Sequence, residues 1–352
     1  MQLLFKIIRA FLILALAAGL VVAGLLLHAT YTNYTPPPTE SLDTQGSAND
    51  TLSNELSFLI WNIGYAGLGK ESDFFYDGGK MSIPTREMSQ KNLQGVTQFL
   101  TQNKADFVLL QEVDIKSRRG YGVNQVEHIG KALAPYNTTF ATNYKVAFVP
   151  QPFTNPMGGV HGGLASYSRF KPSSSMRYQL PGSFEWPLSV YFLDRCLLVQ
   201  RYPLSNGKEL VVVNTHHSAY DGGKLKKHEM EFIQKLYQEE YDKKGNYIVV
   251  GGDWNQCPPH FQPDKFWKTG MNKPAQMTIE PDFLPQWLWV YDPKVATNRE
   301  VTAPYSPDKS FTTVIDFYLI SPNVELLEVK GIDVGFEYSD HQPVYMKVKL
   351  KP

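Results

Sequence analysis

The chain has 352 residues, 43% hydrophobic and 13% aromatic, enough for one large core or two medium ones and inconsistent with a disordered chain. Lys+Arg and Asp+Glu both number 34, so no net basic field attracts polyanions, although a local patch can still exist. Only Cys196 and Cys257 are present, which excludes a disulfide-dense scaffold and a four-cysteine zinc site; both are expected to be free.

Lys6 and Arg9 precede an unbroken apolar run from Phe11 to Leu27, FLILALAAGLVVAGLLL. It lies at the short end of what spans a bilayer, where ~20 residues are usual, and exceeds the apolar region of a signal peptide. No clear small-residue cleavage site closes it. Residues 1–30 are therefore expected to be an uncleaved membrane anchor, with residues 7–27 in the membrane; a cleaved segment would make the protein secreted. The basic N-terminal flank predicts a cytoplasmic N-terminus and an exported remainder. Residues 31–55 carry Pro36-Pro37-Pro38 followed by Ser, Thr, Asn, Asp and Gly, the composition of a linker, semi-rigid and then flexible. The folded domain is expected over residues 56–352.

From Leu56 strand-like and helix-like segments alternate. Strands are predicted at Leu56–Trp61, Asp106–Gln111, Thr139–Phe148 and Gly163–Ser168. A long strand follows at Val190–Tyr202, then others at Glu209–Thr215, Tyr247–Gly251, Thr313–Ser321, Val324–Val329 and Pro343–Lys349. Helices are predicted at Thr85–Asn103, Val123–Ala134 and Lys224–Lys243, from apolar residues at helical spacing. The alternation implies an α/β domain, and late strands with no helix between them imply mixed sheets.

Several apolar runs end in a residue able to hold a metal or a phosphate. FLIW ends in Asn62, FVLLQ in Glu112, VVVNT in His216, IVVGG in Asp253 and Asn255, and TTVI in Asp316. Asp340-His341 precedes the last strand. Strand ends that converge on one rim are where α/β proteins build sites. Each element alone has a plainer reading: Asn62 as a turn, Glu112 as a strand end in solvent, Asp253 and Asn255 as an Asx turn. Side chains alternate along a strand, so only one of His216 and His217 can face a site. Asp316 lies in an otherwise apolar strand and would be costly without a partner, for which His341 is the natural choice.

Taken in order, WNIG, LLQEVD, GGLASYSR (residues 162–169), VVVNTHH, VVGGDWN, VIDFYLIS and YSDHQPV resemble the endonuclease/exonuclease/phosphatase superfamily with the DNase I-like fold. The resemblance covers residues 56–350. It implies a four-layered α/β sandwich, two packed mixed β-sheets flanked by helices, and metal-dependent hydrolysis of a phosphate ester. Glu112, Asp340 and Asn62 would hold Mg²⁺, or Mn²⁺ as a substitute, in an oxygen-rich shell. Asp253 would orient and deprotonate the attacking water, while Asn255 and His216 donate hydrogen bonds to phosphoryl oxygens. His341, held by Asp316, would contact the phosphate as a cation.

The substrate remains open at this level, between nucleic acid and a phospholipid or sphingolipid headgroup. No core residue is missing, as one would be in a catalytically silent binding module. Arg118 and Arg119 follow Glu112 closely and are candidates for gripping a substrate phosphate. Loops at 65–85, 149–163 and 256–310 are expected to frame the cleft; the last contains Trp267, Trp287, Trp289, Tyr291 and Tyr305. His161 reads as a loop residue rather than a ligand, and Lys224, Lys226, Lys227 and His228 as a solvated basic face.

Overall fold

The computed structural model describes residues 1–219, 222–262, 266–267 and 276–352. Two seven-stranded mixed sheets pack face to face. Each is built around one parallel pair, with antiparallel strands on either side.

The first sheet contains β3 (Glu55–Asn62), β4 (Phe107–Ser117), β5 (Asn137–Val149), β6 (Gly158–Ser168), β15 (Val324–Gly331) and β16 (Val344–Leu350). The second contains β7 (Ser174–Gln179), β8 (Cys196–Pro203), β9 (Glu209–His216), β10 (Tyr247–Asp253), β11 (Leu288–Val290) and β14 (Asp316–Ile320). The parallel pairs are β3/β4 and β9/β10. Two short strands, β1 (Thr39–Ser41) and β2 (Thr44–Gln45), complete the edges, and β12 (Asn298–Arg299) pairs with β13 (Thr312–Thr313).

Pleat alternation explains the four layers. Phe58 and Ile60 of β3 point into the space between the sheets, where they meet Phe107, Leu109, Val249 and Tyr318. Their neighbours Leu59 and Trp61 point outward onto α2 (Arg86–Gln102) and α3 (Gln125–Ala132), through Val96, Leu100 and Ile129. On the far side Val211, Val213, Ile248 and Val250 receive Ile233 and Tyr237 of α4 (Lys224–Gln238). Strands buried on both faces need continuous apolar runs, the pattern that marks them in the sequence. Side-chain caps start two of the helices: Thr85 accepts from Met88 N–H at 3.2 Å and Asn124 from Glu127 N–H at 3.1 Å.

Three expectations need correction. Residues 39–45 are not free tether: β1 pairs with β7 and β2 with β5, so this stretch is hydrogen-bonded to the outer edges of both sheets. The long strand expected at Val190–Tyr202 is only β8; Leu188–Tyr191 form a helical turn, and residues 191–195 leave the sheet, with Tyr191, Phe192, Leu193 and Arg195 lining a cavity. The strand expected at Thr313–Ser321 divides into β13 and β14. Both cysteines are free and buried.

At the N-terminus, α1 (Gln2–Tyr31) is one 30-residue helix, long and apolar enough to cross a membrane, with its apolar residues exposed along its length.

Candidate active site

The C-terminal ends of the two parallel pairs meet at one rim of the sandwich. Asn62 ends β3, His216 ends β9 and Asp253 ends β10. Register holds them together: Asp253 lies opposite His216 on one side and opposite Asp316 on the other.

Beneath them the sheets are tied by a buried amide pair. Gln111 Nε2 donates to Asn214 Oδ1 at 2.7 Å, and Asn214 Nδ2 donates to the carbonyls of Leu110 and Ala165, each at 3.1 Å. These bonds cross between the sheets and fix their spacing under the site, although Gln111 Oε1 has no partner among the described residues. Glu112 follows immediately, in a bulge where β4 slips register against β6, with φ of +53°. The bulge turns its side chain to the rim. Gly252 has φ of +149°, and a Cβ there would lie 2.0 Å from Thr215 O, so only glycine allows β9 and β10 to approach this closely.

The rim is a connected set of polar groups. Asn62 Nδ2 donates to Asp253 Oδ2 at 2.9 Å and lies 3.4 Å from Glu112 Oε1. His216 Nε2 is 3.3 Å from Asp253 Oδ2 and 3.9 Å from Glu112 Oε1. Asn255 N–H donates to Asp253 Oδ1 at 2.9 Å, and Asn255 Nδ2 donates to His217 O at 2.9 Å. His341 Nδ1 meets Asp316 Oδ2 at 2.8 Å; its Nε2 is 3.0 Å from Asn298 Nδ2 and 3.8 Å from Asp253 Oδ2. Trp61 Nε1 donates to His341 O at 2.9 Å, holding the Asp340-His341 turn against β3.

Electrostatics separates the two histidines. Burial, reinforced by Arg195, His341 and His217, drives the pKa of His216 well below its ordinary value, so it is neutral near pH 7. Its Nε2 faces the Asp253 and Glu112 carboxylates while its Nδ1 has no partner among the described residues, so the proton belongs on Nε2. Burial also acts against a charged His341, but Asp316, Asp253 and Asp340 outweigh it and raise its pKa well above the ordinary value. Burial pushes Asp316 up to about 6, opposed by His341 and aided by Asp253. Asp340 rises to about 7, again through burial first; His341 and Arg299 pull it down, while Glu112 and Asp77 push it up.

Glu112, His216, Asp253, Asn255, Asp340 and His341 line a cavity of about 720 Å³. Its wall is largely aromatic and apolar, with Tyr65, Phe74, Tyr144, Met157, Phe184 and Phe192. The Glu112–Asp340 pair has the donor chemistry of a hard-cation site: two carboxylates face one cavity, and the Glu112 charge opposes ionisation of Asp340. Gly64 closes the other side with φ of +49°; a Cβ there would lie 2.7 Å from Asp340 Oδ1. Asn62 is turned differently from a ligand. Its Oδ1 accepts from Gly64 N–H at 3.0 Å and its nitrogen faces the carboxylates, so the amide would have to turn over to bind a cation. Asp253, Asp316 and His341 also bring three ligand-type atoms within 4.8 Å, but His341 and Asp316 are already bonded to each other.

The two arginines predicted to grip substrate separate. Arg119 lines the cavity, paired to Asp114 at 2.9 and 3.0 Å and stacked 3.6 Å over the Tyr65 ring. Arg118 instead bonds Pro156 O and Asn155 Oδ1 on an exposed loop and is absent from the cavity lining. Arg195 takes its place: it lines the cavity, and its buried Nη1 has no partner among the described residues. A residue in what reads as the middle of a strand carried no sequence signal for this role. His217 points away from the rim, stacked on Trp254 and bonded to Glu229 Oε2 at 3.0 Å. All three framing loops contribute to the wall: 65–85 and 149–163 through Tyr65, Phe74 and Met157, and 256–310 through Gln256, Met277, Asn298 and Arg299. Of its aromatics, Trp287, Trp289 and Tyr291 pack into the core beside α4, Trp267 meets Phe311 at a tilt, and Tyr305 meets Phe336 likewise. His161 lies in β6 and bonds Thr142 Oγ1 at 3.0 Å. Lys226 lines the cavity, although the basic run was expected to be solvated.

The sequence pattern of the Endonuclease/Exonuclease/phosphatase family matches residues 61–341, a span that begins before Asn62 and closes on His341. The chain belongs to this family. Solved structures agree on the fold. An endonuclease/exonuclease/phosphatase from Beutenbergia cavernae is similar at 19% identity with TM-score 0.57, covering 84% of this chain and 72% of its own. A Bacteroides vulgatus protein of the same description has 17% identity and TM-score 0.52, covering 84% and 99%. ANGEL2, described as a 2′,3′-cyclic phosphatase, has 14% identity and TM-score 0.51, covering 89% and 99%. A comparison with curated protein sequences finds no match.

Proposed function

We propose that the chain is a divalent-metal-dependent phosphoesterase, most simply a phosphodiesterase, anchored by α1 with its catalytic domain exported. The observation that carries this reading is the opposed tuning of His216 and His341 around Asp253, beside the Glu112–Asp340 carboxylate pair. Glu112 and Asp340 would hold Mg²⁺ or Mn²⁺, with Asn62 joining if its amide turns. Bound there, the cation supplies Lewis acidity toward a phosphoryl oxygen.

The chain's own residues divide the remaining work. Asp253, fixed by Asn62 and by Asn255 N–H, accepts a proton from water aligned opposite the leaving group. Neutral His216 donates its Nε2 proton as a hydrogen bond to a non-bridging oxygen. Cationic His341 presents Nε2 to the same developing charge, with the Asn298 amide turned so that its nitrogen no longer faces that N–H, and Asp316 keeps the charge on the ring. Asn255 also stands at the rim, although its Nδ2 is engaged by His217 O. Arg195 and Arg119 supply positive charge on the cavity wall, where a phosphate would otherwise meet mostly carboxylates.

The test uses the full chain in detergent micelles with Mg²⁺, against DNA, RNA, a sphingolipid and a phosphoinositide. Cleavage of at least one, abolished by chelation, is expected. Thermal stabilisation by Mg²⁺ that disappears in Glu112→Gln gives a second readout independent of turnover. Absence of both effects would overturn the proposal.

A further inference from the structure

The end of α1 is not loosely tethered. Its Ala29 is buried, and Trp186 Nε1 donates to Thr30 Oγ1 at 3.1 Å. Leu25, His28 and Thr32 face Phe148, Pro150 and Tyr191 across a narrow gap. The domain is therefore seated on the helix where it would leave the membrane. Leu27 ends the apolar run, and Thr30 lies about 4.5 Å further along the axis, at 1.5 Å per residue. That places Trp186 at headgroup depth.

Exposed apolar side chains gather in these same segments. Beyond α1, Phe153 (85%), Trp186 (62%) and Leu188 (53%) are the most exposed large hydrophobics among the described residues, and Phe148 is 40% exposed. Phe148 and Phe153 lie at and just beyond the end of β5, against which α1 rests; Trp186 precedes and Leu188 opens the helical turn that touches it. Tryptophan bonded through its indole N–H, beside exposed phenylalanine and leucine, suits the boundary between water and acyl chains. The Trp186–Leu188 segment also continues into the site: Phe184 on one side and Phe192 on the other line the catalytic cavity.

We infer that Phe148, Phe153, Trp186 and Leu188 form a membrane-seated rim around the exit of α1, and that this rim admits a bilayer-embedded phosphate ester to the cavity. The substrate class is then an amphiphile whose phosphate reaches His341 while its apolar part stays in the leaflet. The inference rests on α1 as a retained anchor and on the proposed phosphoesterase reading.

The experiment reconstitutes the full chain in phosphatidylcholine–phosphatidylglycerol vesicles carrying bromine on the acyl chains near the headgroup. The wild type should show a quenched tryptophan component that Trp186→Phe removes. Phe153→Ser/Trp186→Ser/Leu188→Ser should keep hydrolysis of a water-soluble phosphodiester probe. Its turnover of vesicle lipid should fall about tenfold or more, as expected when apolar side chains no longer enter the leaflet. No Trp186-dependent quenching, or an unchanged ratio of vesicle to soluble turnover, would overturn the inference. Quenching with no turnover of any ester would leave the seat standing and refute the phosphoesterase reading.

Discussion

Asp316→Asn separates charge from geometry at the centre of the site. The amide oxygen of this variant can still accept a hydrogen bond from His341 Nδ1, so the ring keeps its place, but the anion that holds a proton on it is gone. Asp316 is fully buried, His341 nearly so, and the pair is 2.8 Å apart. Breaking a buried charge pair costs roughly 3–5 kcal/mol. At 1.36 kcal/mol per factor of ten, this is roughly 10²–10⁴ in rate if the whole effect falls on the transition state. The retained hydrogen bond places the expectation near 10² in kcat. The assay is kcat and kcat/KM against pH, with the circular-dichroism melt as a folding control. Removing the leading carboxylate leaves only Asp253 and Asp340 to offset burial, so the pKa of His341 falls and an alkaline limb set by loss of its proton moves to lower pH. A near-normal kcat with that limb unmoved would refute a carboxylate-held imidazolium.

Other outcomes follow from the same structure. Asp253→Asn should fold normally and lose about 10²–10⁴ in kcat, because a positioned base is removed; steady-state kinetics and a thermal melt check this together. Arg195→Ala should act mainly on KM, lowering kcat/KM about tenfold to a hundredfold, as for a lost charge-assisted contact to substrate phosphate. An unchanged KM would return Arg195 to a packing role. Glu240 gives a prediction away from the site. Burial opposes its charge, but Arg201, Lys244 and Asn246 hold it at about 2. A depressed carboxyl stabilises the fold above its unfolded value of about 4.3, and that stability is lost as pH falls toward 2. Thermal melts between those limits should fall more steeply for the wild type than for Glu240→Gln.

Much of the site is legible in the sequence because strand ends are marked twice, by an apolar run and by the polar residue that stops it. Asn62, His216 and Asp253 are found this way, and Asp316 by its cost in an apolar strand. What escapes depends on contacts across long separations. Arg195 reads as strand interior, and only the departure of residues 191–195 from the sheet turns it into cavity wall. Arg118 and Arg119 are adjacent in sequence, yet Asp114 captures one while the 155–156 loop captures the other. β1 and β2 are too short and polar to show periodicity, and they form because two sheet edges offer unpaired backbone. The aromatics of the 256–310 stretch look like cleft residues by position, whereas Trp287 and Trp289 cover the β10–β14 face beside α4.

If the Asp253–His341 rim hydrolyses phosphate esters, it does so with a cation held by Glu112 and Asp340. The most direct test is phosphodiester hydrolysis by the full chain and by His341→Ala, prepared side by side, each with Mg²⁺ and again with chelator. Turnover is expected only in the wild type with Mg²⁺. Equal turnover in the variant, or turnover that survives chelation, would contradict that expectation.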